Sequence, residues 1–389
     1  MSTRTVVAAG LWSNPAIWDG GVALPAAGDT VVGLLGAMVT IDQDIDVGSI
    51  GTPSGGGFSA SIPAGSVRNI KADIIAGTEV CLALSGDGEA AIVGNVIGGT
   101  SESRHGISAG CARTTIAGNV TGGAGSKSVG VKCTNSARVI EITGTVTGGS
   151  STSDANGVES PGPITITGNV HGGTAGRYNY GVVGTGSSNV TVTGDVHGGI
   201  AEGCAGLSSS TGLVTVYGNV AGGSASDCYG VGAPNVTVTG DVTGGSGVDA
   251  GGLLHSGPAH ISGNVVGGSG DNSPGIYGYA DALIEGDVTG GAGVGSSGVV
   301  LESGATVSIG GMATNTPTNV AVRATSWRAI AGRALVVRIW DDANPPALRV
   351  LTTDPWATEI APGVTARDRL LATATIASTG AQVAAATTA

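Results

Sequence analysis

A short glycine-rich string that returns at nearly constant spacing constrains this chain more than any other feature of its sequence. The pattern Gly-(Asn/Asp/Thr)-Val-x-Gly-Gly occurs nine times, at intervals of 22 to 26 residues. A period of this length is typical of stacked architectures in which each repeat contacts only its neighbours. The copies begin at Gly94, Gly118, Gly144, Gly168, Gly194, Gly218, Gly240, Gly263 and Gly286.

The residues around the first glycine of each copy predict a β-strand with one buried face. Two residues before it and two residues after it, every copy has valine or isoleucine, as at Ile116 and Val120 around Gly118. Alternation with a period of two places both positions on one face, so stacked copies form two continuous columns of branched side chains. A second short strand is expected 12 or 13 residues after each first glycine, with the Gly-Gly pair turning the chain between them.

These strands predict an all-β fold, a right-handed parallel β-helix (β-solenoid) of about nine to ten coils. Glycine accounts for 73 of the 389 residues and disfavours helices. Aromatic residues make up only 3% of the chain, so the core is expected to consist of Val, Ile, Ala and Leu. We expect three regions: a β cap with the first irregular coils over residues 1–93, the glycine-rich repeats over 94–311, and a small β-rich docking or cap domain with an extended tail over 312–389.

The C-terminal region differs in composition from the repeats. It contains seven of the 13 arginines and three of the five tryptophans. The alternation in Ala334–Trp340 predicts a strand, Asn344-Pro345-Pro346 predicts a turn, and a further strand is expected near Leu348–Leu351.

The N-terminal region has a pattern of its own, formed by Trp12-Ser-Asn-Pro-Ala-Ile-Trp18, Gly20-Gly21, Pro25, Gly28-Asp29 and Val39-Thr-Ile-Asp42. Residues 12–42 thereby resemble the start of the extracellular β-rich module named for its eight conserved glycines, which often precedes parallel β-helices in surface proteins. The resemblance transfers no functional residue. Because the first coil of a solenoid leaves a sheet edge and an apolar core open, we expect Trp12 and Trp18 to cover that end.

The charge and the distribution of apolar residues argue against several classes of partner. The formal net charge is −12 with only three lysines, and such a surface disfavours nucleic acid and anionic membranes. The chain has no apolar stretch of about 18 residues, so membrane insertion is not expected, and the N-terminus lacks the pattern of a secretory signal.

The five cysteines form no C-x-x-C pair and are expected to be reduced, packed thiols. They are Cys81, Cys111, Cys133, Cys204 and Cys228.

The residue after the first glycine of each copy is Asn, Asp or Thr. In register, these side chains form a column in which asparagines hydrogen-bond from coil to coil. From Asn169 onward Asp and Asn alternate, so no two carboxylates are expected on adjacent coils, where they would repel each other.

Five of the six tyrosines flank the second short strand and form our preferred candidate contact surface. Exposed tyrosines bind sugars and protein partners well. The alternative is that they pack against a neighbouring subunit or loop. The candidate binding residues are Tyr178, Tyr180, Tyr229, Tyr277 and Tyr279.

Other candidates have weaker support. Asp227, Asp249 and Asp271 follow successive Gly-Gly-Ser turns and as a stack can hold Ca²⁺ or act as paired carboxylates, but aspartate is also favoured in turns for its local hydrogen bonds. His171 and His197 occupy one repeat position, and no third ligand recurs beside them. Gly-x-Ser-x-Gly, His-Glu-x-x-His and phosphate-loop motifs are absent. We therefore expect no catalytic residue, no metal and no cofactor.

An aromatic-poor β-helix without a secretory signal and with distinct end regions resembles virion proteins of tailed bacteriophages: fibres, spikes and capsid decorations. This resemblance of architecture implies a structural virion protein that is not an enzyme and that contacts the host surface. It further implies docking on other virion proteins through a terminal region, contact with a host glycan or protein, homo-oligomerisation, and location in the virion after assembly in the host cytoplasm. A polysaccharide-degrading enzyme of the tailspike type and a bacterial surface adhesin remain alternatives.

Overall fold

The computed structural model describes residues 2–21, 23–33, 38–52, 58–78, 82–302 and 305–314, together with short strands beyond residue 314. The fold is all-β with essentially no helix, a parallel β-solenoid of about 12 turns, which confirms the predicted class. The number of turns exceeds the expected nine to ten because strands that precede Gly94 also pair in parallel, without the glycine-rich string. Handedness and the boundaries at residues 93 and 311 stay predictions.

The chain divides into two compact units. The first unit comprises Met1–Gly194 with Gly206–Gly212, and the second comprises Asp195–Ala205 with Leu213–Ala389. Each unit has two sheets, called sheet A and sheet B below, and the chain alternates between them. Their strands pair in parallel, except that Val336–Trp340 and Leu348–Leu351 in the second unit pair antiparallel.

In the first unit, sheet A is made of the strands that contain or precede the repeat string, and sheet B of the second short strands. Sheet A consists of Thr3–Val6, Thr30–Gly33, Ile45–Ile50, Val67–Ile75, Glu89–Val93, Val96–Ile97, Arg113–Ala117, Val120–Thr121, Val139–Thr143, Val146–Thr147, Ile164–Thr167, Val170–His171 and Val190–Thr193. Sheet B consists of Gly10–Leu11, Met38–Thr40, Phe58–Ser61, Leu82–Ser85, Ile107–Ala109, Val131–Lys132, Val158–Ser160, Val182–Gly184 and Leu207–Ser209.

The second unit repeats this arrangement. Its sheet A consists of Val196–His197, Leu213–Val216, Val220–Ala221, Asn235–Val238, Val242–Thr243, Ala259–Ile261, Val265–Val266, Ala282–Ile284, Val288–Thr289, Thr306–Ile309, Met312–Thr314, Ser326–Ala329, Val336–Trp340, Leu348–Leu351 and Ala385–Ala386. Its sheet B consists of Val231–Ala233, Leu253–His255, Ile276–Gly278, Val299–Leu301 and Val322–Arg323.

The core contains the two columns of branched side chains that the repeat predicts, together with inward-facing residues of sheet B such as Ile107 and Val131. In the column before the first glycine, Ile116 pairs in register with Ile92 and Ile142. In the column after it, Val120 pairs with Val96 and Val146. All of these side chains are at most 2% exposed. Burying one Val or Ile side chain contributes about 1.5–3 kcal/mol, so a column that continues through every turn stabilises the stack strongly.

The first glycine of the repeat string is required by the close approach of successive turns. Gly118 has φ +159°, and a β-carbon there would lie 2.1 Å from the carbonyl oxygen of Gly94. No side chain fits at that distance, which explains why glycine recurs at this position in every copy.

The residue that follows this glycine forms the predicted hydrogen-bonded column. In the second unit the Asn219 backbone N–H and side-chain amide both donate to Asp195 Oδ1, at 2.8 and 3.1 Å. Asn219 Oδ1 then accepts from the backbone N–H of Asp241 at 2.9 Å, and the pattern continues through Asn264 to Asp287. Alternation therefore places an amide donor between carboxylates, as expected from the sequence.

The two N-terminal indoles pack inside the first turns. Trp12 and Trp18 are 2% and 1% exposed, and their rings meet edge to face with centroids 4.6 Å apart. The outer edge of Thr3–Val6 is covered locally: the N–H of Val7 donates to the carbonyl of Ile17, and the N–H of Asp19 donates to that of Thr5. The expectation that this segment closes an open end agrees with these contacts.

Beyond residue 314 the structure describes only short strands. Ser326–Ala329 continues the parallel pairing with Thr306–Ile309, whereas Val336–Trp340 pairs antiparallel with Leu348–Leu351, close to the two strands expected there. A small antiparallel pair, Glu359–Ala361 with Val364–Thr365, follows. The predicted turn at Asn344-Pro345-Pro346, residues 366–384 of the tail, and Cys81 lie outside the described residues. The other four cysteines are buried free thiols, as expected.

Candidate functional site: an acidic cleft lined by tyrosines

A column of residues with left-handed backbone marks the corner that leads into sheet B of the second unit. Asp227, Asp249 and Asn272 have φ of 57°, 56° and 50°, and Gly295 follows with 74°. The N–H of each of the first three donates to a carbonyl of the next turn, at 3.0, 2.9 and 2.7 Å. Asp and Asn tolerate this conformation better than other residues with side chains, so the backbone holds two carboxylates in register on adjacent turns.

The expected stack of three aspartates is wrong in its third member. Asp271 lies one residue before the column, where its carboxylate accepts from the N–H of Val294 at 2.9 Å, and Asn272 takes the column position. The sequence contains the reason: Asp227 and Asp249 are the fifth residue after the first glycine of their Gly-Gly pair, but Asp271 is the fourth.

Tyr229 lies two residues after Asp227, and its side chain extends towards the next turn. Its ring covers the next turn at Gly251, where an added β-carbon would meet Tyr229 Cε1 at 2.7 Å. Gly251 occupies the same place in its turn that Tyr229 has in the preceding one, so the missing side chain leaves the space that the ring fills. Burial raises the pKa of Tyr229 to about 12, and the charges of Asp227 and Asp249 act in the same direction.

Tyr277 and Tyr279 flank Gly278 at the end of a sheet B strand. Their rings meet edge to face, with centroids 5.4 Å apart and planes at 87°. A hydrogen bond with Tyr279 raises the pKa of Tyr277 to about 12, with burial next and the carboxylate of Glu302 adding to the effect. Both Tyr229 and Tyr277 therefore remain neutral hydroxyl groups at physiological pH.

The corner column and the rings of Tyr229 and Tyr277 line an open cleft with a volume of about 360 Å³. Its lining comes from four consecutive turns and combines aromatic rings, a proline and three carboxylates. The lining residues are Asp227, Tyr229, Asp249, Asn272, Pro274, Tyr277, Gly295, Val300 and Glu302.

The charge around the cleft is negative without compensation from the neighbouring sequence. Residues 178–322 contain no lysine and no arginine, although the chain has 16 of them. The same stretch contains ten acidic residues: Asp195, Glu202, Asp227, Asp241, Asp249, Asp271, Asp281, Glu285, Asp287 and Glu302. Of the three carboxylates in the cleft, Asp227 and Asp249 were among the candidates from the sequence, whereas Glu302 was not. The one-sided distribution of charge is the sequence signal that points to this acidic region.

The five candidate tyrosines divide between the two units. Tyr229 and Tyr277 line the cleft of the second unit and Tyr279 packs against Tyr277. Tyr178 and Tyr180 belong to the first unit: Tyr178 is 49% exposed at a left-handed corner position with φ 59°, and the N–H of Tyr180 donates to Asn156 Oδ1 at 3.0 Å. Whether these five residues bind a partner stays a prediction.

The chemistry available in the cleft is that of recognition by aromatic faces, neutral hydroxyls and carboxylate oxygens. Among the described residues, no group of three or more His, Cys, Asp or Glu side chains could hold a metal ion. No histidine or cysteine lines the cleft, and its three acidic side chains are the groups that could act on a bound glycan.

The fold and this cleft define a parallel β-solenoid with an acidic, tyrosine-bearing groove on one unit. Comparison with family models, with curated proteins and with solved structures finds no match to the chain. In the part of the chain that the structure describes, no helix is long and apolar enough to cross a membrane.

Proposed function

We propose that this chain is a structural virion protein of a tailed bacteriophage, a fibre, spike or capsid decoration that projects from the particle and contacts the host surface. The main support is that repeating and non-repeating residues have different structural roles. The repeating Val, Ile, Asn and Asp positions form the core and the hydrogen-bonded column. Tyr229 and Tyr277, which have no counterpart on most turns, instead line an open cleft beside the acidic corner column.

A scaffold of this kind suits a projecting, rigid part of a particle. Strands of successive turns are hydrogen-bonded in register and the side-chain columns are buried throughout the described turns of each unit. Because each turn is braced by its neighbours, local opening requires the loss of several such contacts at once. The proposal assigns docking on other virion proteins and homo-oligomerisation to a terminal region, and host contact to the tyrosine-lined cleft.

The proposal predicts where the protein is found. Phage particles purified from a host that produces this chain should contain its peptides at a stoichiometry near that of other structural proteins, as measured by quantitative mass spectrometry. Recovery only from the cell-surface fraction of uninfected cells would contradict the virion assignment and favour the adhesin alternative.

A glycan-degrading activity is the second candidate because Asp227, Asp249 and Glu302 line one cleft with tyrosines. Two carboxyl groups across a glycosidic bond are the usual catalytic pair of glycosidases. Incubation of the protein with surface polysaccharide of the host, followed by an assay for new reducing ends, separates the two candidates. We expect no release; release that is abolished by Asp227→Asn, Asp249→Asn and Glu302→Gln together would establish the enzyme.

A further inference from the structure

The cleft of the second unit has a composition that selects for the charge of its ligand. Three carboxylates, those of Asp227, Asp249 and Glu302, line it, and none of its nine lining residues is basic. An anionic ligand would meet repulsion from all three, whereas a cation close to two of them gains charge-assisted hydrogen bonds, which are stronger than neutral ones.

The surrounding sequence reinforces this selection. The nearest lysine or arginine residues in the chain are Arg177 and Arg323, on either side of a stretch with ten acidic residues. Uncompensated charge of one sign around a cleft raises the local concentration of oppositely charged ligands and speeds their association. Negative charge here is a property of the region as well as of the three lining carboxylates.

The geometry of the carboxylates favours a ligand with repeated cationic groups. Asp227 and Asp249 occupy equivalent positions on adjacent turns, held there by backbone hydrogen bonds. Neighbouring parallel strands lie about 4.8 Å apart, so the two positions form a repeated anionic edge along the stack. A chain of linked amino sugars that runs along the stack carries several ammonium groups that can pair with these carboxylates.

The tyrosines supply the other half of saccharide recognition. The ring of Tyr229 lies along the stack over Gly251, and Tyr277 is held edge to face against Tyr279. Rings held in this way offer flat faces for the C–H-rich side of a sugar and neutral hydroxyls for its oxygens. An extended peptide with lysines would use the carboxylates but has no such flat face to place on the rings.

We infer that this cleft binds an oligosaccharide whose sugars bear free, protonated amino groups, and that it discriminates against acetylated and anionic glycans. This inference rests on the proposed host-surface contact and names the class of glycan in it. The carboxylates of Asp227 and Asp249 pair with the ammonium groups, and Tyr229 and Tyr277 pack on the sugar rings.

The test compares two probes of equal length, a glucosamine hexamer and its fully N-acetylated counterpart, by titration calorimetry with the full chain. We expect the amino form to bind about tenfold more tightly, the effect of one favourable charge-assisted contact. The advantage should shrink as the salt concentration rises from about 50 mM to about 1 M, because ions screen exposed charge pairs. Equal affinity for both probes would overturn the inference.

Matched variants locate the interaction. Asp227→Asn with Asp249→Asn removes two charges at positions where Asn272 shows that asparagine adopts the same backbone, so the fold should persist. Asp195→Asn with Asp241→Asn removes the same charge from the hydrogen-bonded column, where asparagines also stack on one another. We expect the first pair to abolish the preference for the amino form and the second to retain it; equal effects of both pairs would overturn the assignment to the cleft.

Two further outcomes separate this inference from the proposed function. Tight binding of a lysine hexapeptide, with no binding of the amino-sugar hexamer, would overturn the saccharide assignment and indicate a basic protein partner. Detection of the chain in purified particles does not depend on either probe. A protein that is present in particles but indifferent to the amino sugar would therefore refute this inference alone.

Discussion

The ring of Tyr229 occupies the space beside Gly251 on the next turn, so that a β-carbon at residue 251 would fall 2.7 Å from Cε1. This contact connects the backbone repeat to the candidate site, since the ring reaches its place in the cleft only because the following turn has no side chain there. The orientation of Tyr229 thus depends on a residue that itself has nothing to offer a ligand.

Gly251→Ala should displace the Tyr229 ring and weaken ligand binding with little loss of stability. The atoms closest to the new methyl group belong to the Tyr229 ring, which can move. We therefore expect the free energy of unfolding to fall by about 1 kcal/mol or less, at the low end for overpacking. Gly232→Ala is the matched control, because nothing lies within 4 Å of its added β-carbon. Near-ultraviolet circular dichroism should change for the first variant and not for the second; identical spectra would show that the ring does not depend on Gly251.

Ionisation of the tyrosines should extend well above the usual range. With the pKa of both Tyr229 and Tyr277 raised to about 12, their absorbance change at 295 nm should occur near pH 12 in the folded protein. The unfolded chain ionises these phenols near pH 10, so stability should fall as the pH rises from about 10 to about 12. Tyr229→Phe and Tyr277→Phe should each remove one late-titrating group. A titration complete by pH 11 in the parent protein would contradict this environment.

Asn219→Asp should destabilise the second unit by placing a third carboxylate between those of Asp195 and Asp241. The substitution also removes the amide that donates to Asp195 Oδ1 at 3.1 Å. Like charges about 5 Å apart repel by roughly 1–3 kcal/mol near a protein surface. Asn119→Asp, which has Asn95 and Thr145 as its column neighbours, is the control and should cost less. Urea unfolding at low and high salt measures the free energy of unfolding of both variants, and salt should restore more of the stability lost by Asn219→Asp. Equal losses in the two variants would refute the role of alternation.

Acid should destabilise the first unit through His105. Burial lowers its pKa to about 4 in the folded state, with Lys132 adding to the effect, whereas the unfolded imidazole titrates near 6.5. Below pH 6.5 the unfolded chain binds a proton that the folded chain does not, so stability should decline between about 6.5 and 4 and then level off for this group.

A substitution that mimics another turn tests this contribution. His105 Nδ1 accepts from the N–H of Val129 at 3.2 Å, and Asn156 Oδ1 accepts from the N–H of Tyr180 at 3.0 Å in the equivalent place. His105→Asn should therefore keep the hydrogen bond and flatten the dependence of the unfolding free energy on pH between 6.5 and 4. An unchanged slope would show that other groups dominate acid unfolding.

The scaffold follows from the sequence more directly than the site does. The branched columns at Ile116 and Val120, and the alternating Asn and Asp ladder, could be derived because they repeat and each position has one physical reason for its residue type. The turns before Gly94 are harder to recognise in the sequence, because their strands pair in parallel without the glycine-rich string.

The cleft could be predicted only in part. Tyrosines beside the second short strand indicated the edge at which this cleft lies. The sequence does not show that the Tyr229 ring packs over Gly251, or that Asn272, and not Asp271, continues the corner column. Both depend on a ring orientation and on a one-residue offset within a turn, and neither leaves a periodic trace.

Binding of the purified chain to cells of its host, measured as the bound fraction over a range of concentrations, tests the central claim that the non-repeating cleft is the contact site. Tyr229→Ala combined with Tyr277→Ala should lower the apparent affinity at least about tenfold, the loss expected when aromatic anchors are truncated. Tyr217→Ala, at a tyrosine that is 54% exposed after a sheet A strand of the same unit, should bind like the parent, with thermal unfolding confirming that each variant is folded. Undiminished binding by the double variant, or an equal loss in Tyr217→Ala, would contradict the account.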